Sequence, residues 1–289
     1  TVSGKGDAGI AMPLPTGVRR VVHSIALPWM AFTLIVYLFA LAGGFVQTWG
    51  RDYTITLNHF RTAFNVEWGE FGMVWAGTAW NSFFTTIKLA AISAPLTAAL
   101  GIGIAWLLAR TEFRGQGAFE FSALLAFAIP GTVLGVSYIL AFNVPPFELT
   151  GTALVIVLCF MFRNLPVGVR AGTAAFKQLD RSLDEASVML RAGSLQTLRH
   201  VVLPLLKPAL VAALVYSFVR AITTVSAVIF LVTAENELAT TYIIGRVGNG
   251  DYGVALAYCT VLILLMSAST GLIQWLVGDR KLGRRGSTP

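Results

Sequence analysis

Apolar positions in this chain gather into six long runs separated by polar connections. About 30 Å of hydrocarbon crossed at about 1.5 Å per residue calls for about 20 predominantly apolar residues in a transmembrane helix. The runs that meet this length are residues 24–46, 82–110, 119–142, 150 to about 169, 209–234 and 252–277. The pattern predicts an all-α, polytopic membrane protein with six transmembrane helices. Its domain plan is a lead-in or linker over 1–20, a transmembrane domain over 21–279 and a basic tail over 280–289.

The runs are not uniform. The first has Trp29 and Trp49 near its ends, where interfacial aromatics are favoured. Residues 51–79, with Trp68 and Trp75 and with Trp80 just beyond, read as a surface loop carrying a helix at the interface. Lys88 lies at the start of the second run and either extends its amine to water or lines a pathway. Pro130-Gly131 should bend or open the third helix. The fourth run is uncharged only as far as Arg163, whose burial near the inner boundary is needed if it is to span.

The longest polar interruption is residues 170–208, RAGTAAFKQLDRSLDEASVMLRAGSLQTLRHVVLPLLKP. Ser182-Leu183-Asp184-Glu185 has the S-x-x-E spacing of a capping box, which predicts a helix start near Leu183. Gly193 fits a C′ position with positive φ, and Ser194 a second cap for a helix to about Val202, stopped by Pro204. Two short helices with a sharp bend are the expected result.

Composition agrees with a membrane protein. The 289 residues are 56% hydrophobic and 12% charged, against about 25% charged in an average soluble domain. The formal charge is +7, and its placement identifies its role. With a cytoplasmic N-terminus, only Arg51, Arg61 and Arg246 fall outside, Lys88 and Arg220 lie in spans, and the remaining 16 of 21 Lys and Arg fall inside. This positive-inside asymmetry places both termini and the 170–208 stretch in the cytoplasm, and attributes the basic charge to orientation and anionic lipid, with no nucleic acid as partner. Cys159 and Cys259 sit in apolar runs and suggest neither a disulfide nor a metal framework.

Arg220 stands near the middle of the otherwise uncharged run 208–234, where a charge costs about 2.5 to 3.5 kcal/mol on insertion scales. Ser217, Thr223, Thr224 and Ser226 surround it, with positions 217, 220 and 224 on one helical face. This is either a polar strip along a translocation path or a set of interhelical hydrogen bonds that fixes packing. No acidic residue falls inside a span apart from Glu120 at an inner edge, and His23, His59 and His200 are scattered. There is no H-E-x-x-H and no G-x-x-x-x-G-K-[ST], so neither an intramembrane metalloenzyme nor a P-loop ATPase is indicated. The alternative is a secondary transporter coupled to protons or sodium, but proton coupling typically uses a central carboxylate and such folds often show inverted repeats, and neither is apparent.

Glu185-Ala186-Ser187, followed by Leu203-Pro204, resembles the EAA loop of permease subunits in binding-protein-dependent ABC importers. The usual glycine four residues after that triplet is Arg191 here. The resemblance implies a type I importer permease of the bacterial inner membrane, with an EAA-type cytoplasmic coupling loop. It implies as partners two copies of an ABC ATPase, an extracytoplasmic solute-binding protein and a second six-helix permease half that is fused, homologous or identical. No cofactor is expected in this chain, since ATP and Mg belong to the ATPase. Asp184, Glu185, Ala186, Ser187, Arg191, Gly193, Ser194, Leu195 and Leu198 become the ATPase-coupling candidates. Glu185 would serve the helix start or contact an ATPase arginine; residues 192–198 would insert into the partner, with Leu195 and Leu198 as apolar anchors.

The segments 217–228, Gly245-Arg246-Val247 and Gly250-Asp251-Tyr252-Gly253 resemble ferric-iron permeases. The opening Thr1-Val2-Ser3-Gly4-Lys5-Gly6 is similar to the linker between the halves of fused permeases of that type. Ferric iron is thus the implied substrate, by resemblance alone, while phosphonate, polyamine, thiamine or sulfate fits the physical pattern equally. Thr1 suggests that an initiator is missing from the record or that the chain is part of a longer fused polypeptide.

Overall fold

A computed structural model describes residues 15–70, 72–180, 182–189, 191 and 193–277; the side chains at 184, 185, 188, 194, 195, 198, 274, 276 and 277 are outside that description. Among the described residues, five helices are long and apolar enough to cross a membrane, and a sixth span is completed if one bent pair counts as one.

The chain divides into two compact units, one of residues up to 84 with 241–262, the other of 85–240 with the chain from 263. In the first unit, α1 (Thr16–Gly43) begins at the N-cap Pro15, inside the stretch read as a lead-in. Proline is a good starter because its fixed φ suits the helix entrance, and its carbonyl accepts the Arg19 N–H at 2.9 Å. The 51–79 region holds the expected short helix, α2 (Asn58–Phe64), and two hairpins that were not expected. These are β1 (Val46–Thr48) with β2 (Asp52–Ile55), and β3 (Glu67–Gly69) with β4 (Gly72–Val74), each antiparallel. Strands this short carry too few alternating positions to be read from sequence.

An aromatic nucleus holds this unit together. The Phe64 ring meets Trp80 and Tyr258 edge-on, both at 5.1 Å, and Tyr258 packs on Tyr242 at 5.3 Å. The buried Tyr258 hydroxyl lies 3.0 Å from Ser82 Oγ, so its polar end is not stranded. Where α1 ends, a Cβ on Gly44 would lie 2.7 Å from the Ala257 backbone, so only glycine permits that approach.

In the second unit, α3 (Trp80–Arg110) continues against α6 (Ala153–Gln178) through paired glycines. A Cβ on Gly101 would stand 2.8 Å from Gly168 Cα, and one on Gly172 would stand 2.6 Å from Ala105 Cβ. Between them, α4 (Gln116–Leu124), a 3-10 turn (Leu125–Phe127) and α5 (Gly131–Phe142) form the third apolar run. The axes of its two arms differ by 107°, so Pro130-Gly131 breaks this run outright.

Three further boundaries depart from the hydropathy reading. The fourth helix, α6, runs on through Arg170 to Gln178, so the interruption shrinks to 179–202. It contains α7 (Ser182–Met189), α8 (Ser194–Thr197) and a π-helical segment (Leu198–Val202) that feeds directly into α9 (Leu203–Thr223). Pro204 therefore does not stop the helix. It falls in the first turn of α9, where a missing N–H costs little, and the wider π geometry lies just ahead of it.

The fifth run also stops being helical before its apolar character ends. Residues 224–238 are irregular apart from a short 3-10 turn (Val228–Phe230). Ile222, Thr223, Thr224 and Val225 are consecutive β-branched residues, and the Thr223 hydroxyl bonds back to the Val219 carbonyl at 3.0 Å. The loop after it contains α10 (Ala239–Gly248), and α11 (Tyr252–Val277) coincides with the predicted sixth span.

Candidate functional site

The polar interruption is built on the ends of α3, α6 and α9. Beneath it lies a buried cluster of Ile102, Ala105, Phe176, Val202 and Leu206, which ties the π segment and α9 to α6 and α3. Arg110 closes its rim: its guanidinium lies 5.9 Å from the Phe176 ring centre and donates from Nη2 to the Leu179 carbonyl at 3.3 Å. A displacement of residues 198–206 must therefore move side chains that pack on two membrane helices.

The entry to α7 is set by Asp180. Its Oδ1 accepts the Ser182 N–H at 3.0 Å, which holds this exposed carboxylate below its ordinary value. Ser182 thus lies inside the first turn, and the side-chain cap comes from Asp180, upstream of the S-x-x-E pattern. Asp184 and Glu185 lie on α7, with side chains outside the description. Ala186 is exposed, whereas Ser187 is buried.

The bend itself differs from expectation. Arg191 carries the left-handed backbone, with φ of 60°, and Gly193 is not a positive-φ residue. Arg191 thus adopts the conformation most easily taken by glycine, at the position where the resembled family has one. Gly193, exposed, instead donates its N–H to Gln196 Oε1 at 3.1 Å and accepts the Thr197 N–H at 3.0 Å. Across the bend, Ser187 Oγ and Thr197 Oγ1 lie 2.7 Å apart, both buried, and pin α7 to α8. Ser194 opens α8, and Leu198 opens the π segment; the side chains of Ser194, Leu195 and Leu198 are outside the description. Met189, which sequence reasoning passed over, is 87% exposed just before the bend.

The polar strip around Arg220 does not assemble as predicted. Because α9 ends at Thr223, Arg220 lies in its last turn, exposed, where its charge complements the helix C-terminus. Ser217 is buried with no partner for Oγ among the described residues, Thr224 is buried, and Thr223 is exposed. Thr224 belongs to the chain beyond the helix, and its carbonyl accepts Thr240 Oγ1 at 2.9 Å. Ser226 accepts from Arg163 Nη2 at 3.4 Å.

The arginine near the middle of a membrane helix is therefore Arg163, on α6. The sequence places Arg163 near the inner boundary of a span ending at about Val169; because α6 runs on to Gln178, it lies nearer the middle of the helix. Among the described residues, no group of three or more His, Cys, Asp or Glu could hold a metal ion.

With this geometry in hand, likeness to known proteins is informative. Residues 98–281 match the family described as "Binding-protein-dependent transport system inner membrane component". The chain is 46% identical over 98% of its length to a ferric transport system permease protein, FbpB, of Actinobacillus pleuropneumoniae, and covers 40% of that relative. It is 30% identical over 70% of its length to the sulfate transport system permease protein CysT of Salmonella typhimurium, covering 79% of it. Among solved structures, a bacterial ABC transporter involved in import of the acidic polysaccharide alginate superposes with a TM-score of 0.68. That match covers 91% of this chain and 98% of the other at 16% identity, and so speaks for the fold. The chain spans about two fifths of the length of the first of these relatives.

Proposed function

Because the chain belongs to the family of inner membrane components of binding-protein-dependent transport systems, we propose that it is a permease half of an ATP-driven importer whose cargo is ferric iron. The observation that carries the cargo is 46% identity to a ferric transport permease across 98% of this chain. The family is a transport permease and not an enzyme. ATP hydrolysis is assigned to two copies of a separate ATPase, delivery to an extracytoplasmic binding protein, and the other half of the conduit to a second six-helix unit.

In this reading, residues 179–202 face the cytoplasm and receive the ATPase, with both termini on the same side. The excess of Lys and Arg on those segments supports the orientation. The bend at Arg191, the exposed Met189 and the hydroxyl pair behind them form the receiving surface, and the Phe176–Leu206 cluster passes its movement to the spans. A sulfate cargo is the second reading, favoured by 30% identity to a sulfate permease of which this chain covers 79%.

The test is reconstitution of the full-length polypeptide with its ATPase and binding protein in proteoliposomes. ATP-dependent accumulation of ⁵⁵Fe is expected. Accumulation of ³⁵S-sulfate in its place would move the assignment to the second reading.

A further inference from the structure

Arg163 is a charge in a membrane helix with no counter-charge beside it among the described residues. Its residue is half-buried near the middle of α6, its Nε is shielded from solvent without an acceptor, and its one side-chain partner is the neutral Ser226, at 3.4 Å. Among the described residues no carboxylate pairs with it. A cation in this position is uncommon and marks a pathway by default, because removing it from water is costly without a counter-charge.

The element it faces makes the imbalance worse. Gly131 opens α5, and a Cβ there would stand 2.8 Å from Arg163 Nη1, so the guanidinium abuts the first residue of that helix. The N-cap is Pro130, with no side-chain cap, and the first bond of the helix is Leu134 N–H to the Pro130 carbonyl at 3.1 Å. The N–H groups of Gly131, Thr132 and Val133 precede that bond and so have no acceptor within the helix itself. A fixed positive charge and the positive end of a 12-residue helix thus converge, with only serine oxygen between them. Two positive features side by side are mutually unfavourable unless something negative joins them.

We propose that Arg163, with the N-terminus of α5 and Ser226, is a contact site for an oxyanion carried by the cargo. This rests on the import reading above and sharpens it: iron would pass as a chelate whose carboxylate or phosphate oxygens face the protein. A bare trivalent cation would be repelled at this point. Gly131 is part of the device, since any side chain there would displace the guanidinium.

The experiment uses the complete reconstituted transporter, wild type and with Arg163→Lys or Arg163→Gln. Three probes are compared: ⁵⁵Fe–citrate, iron-free ¹⁴C-citrate and ³²P-phosphate, each as retention by the purified assembly and as uptake. Gln keeps a donor for Ser226 and loses the charge; Lys keeps the charge. The expected result is at least tenfold loss of ⁵⁵Fe–citrate retention and uptake in Arg163→Gln, partial recovery in Arg163→Lys and unchanged thermal unfolding in both. Loss confined to ⁵⁵Fe–citrate identifies the chelate as the source of the oxyanion, and loss shared with an iron-free anion identifies the free anion; either supports the site.

Equal retention by Arg163→Gln would overturn it. So would a loss accompanied in both variants by lower thermal stability or separation of the permease halves, which assigns Arg163 to packing or to an acid on the partner half. Absence of uptake of any probe by the wild type with binding protein and ATP present would instead contradict the import reading itself.

Discussion

The hydroxyls of Ser187 and Thr197 meet at 2.7 Å across the bend at Arg191, both removed from water. Each helix they join is too short to hold its place alone, α8 having only four residues. The pair is therefore one of the ties that hold α7 against α8.

Replacing one member should loosen that tie without unfolding the membrane domain. Ser187→Ala leaves the Thr197 hydroxyl without this partner, at a cost of about 1 kcal/mol. The expected outcome is less transport per ATP hydrolysed in the reconstituted transporter. The Thr197 hydroxyl still donates to the Gly193 carbonyl at 3.3 Å, so adding Thr197→Val removes that bond as well and should lower the coupling further; a coupling ratio unchanged by Ser187→Ala would show that the bond carries no force.

Arg191 pays for its left-handed backbone, a conformation about 1–2 kcal/mol unfavourable for a residue with a Cβ. Arg191→Gly removes that penalty and should leave transport equal or higher. Arg191→Val, β-branched at the same φ, should reduce it. Equal transport by the two variants would mean that the turn is reshaped when the ATPase is bound.

Close approach of α3 and α6 depends on Gly101, whose added Cβ would lie 2.8 Å from Gly168 Cα. Gly101→Leu should destabilise the domain by about 1–3 kcal/mol through overpacking, read as a lower melting temperature in detergent. Gly103→Leu is the control, because nothing lies within 4 Å of a Cβ there.

Asp180 gives the entry to α7 a dependence on acidity. Its folded carboxylate titrates below the ordinary 3.8 because it accepts the Ser182 N–H. A depressed carboxylate contributes its stability above the ordinary value and loses it as pH falls through the folded one. Hydrogen exchange at Ser182 should be faster in Asp180→Asn than in the wild type at pH 7. The difference should shrink below about pH 4, as the wild-type carboxylate protonates.

Much of this fold was open to reading because transmembrane length is a one-dimensional property. The run 252–277 became α11 without change, and the polar interruption was found where two short helices lie. What misled was the assumption that apolar means helical and polar means loop. Residues 224–238 are largely apolar yet irregular, because back-bonding threonines end α9, and residues 170–178 look polar yet continue α6. Those two shifts moved the central arginine from Arg220 to Arg163. The left-handed turn fell on Arg191 and not on Gly193, since helix register, set by packing, decides where the chain must reverse. The 46–48 and 52–55 hairpin strands were too short to leave a period.

The central claim is that residues 179–202 receive the movement of a separate ATPase, and Met189, 87% exposed beside the bend, is the place to test it. In the complete transporter, with Cys159 and Cys259 replaced by serine, Met189→Cys should form a crosslink to the ATPase whose yield changes when ATP is bound. Labelling of that cysteine from the extracytoplasmic side, or crosslinks confined to this chain, would contradict it.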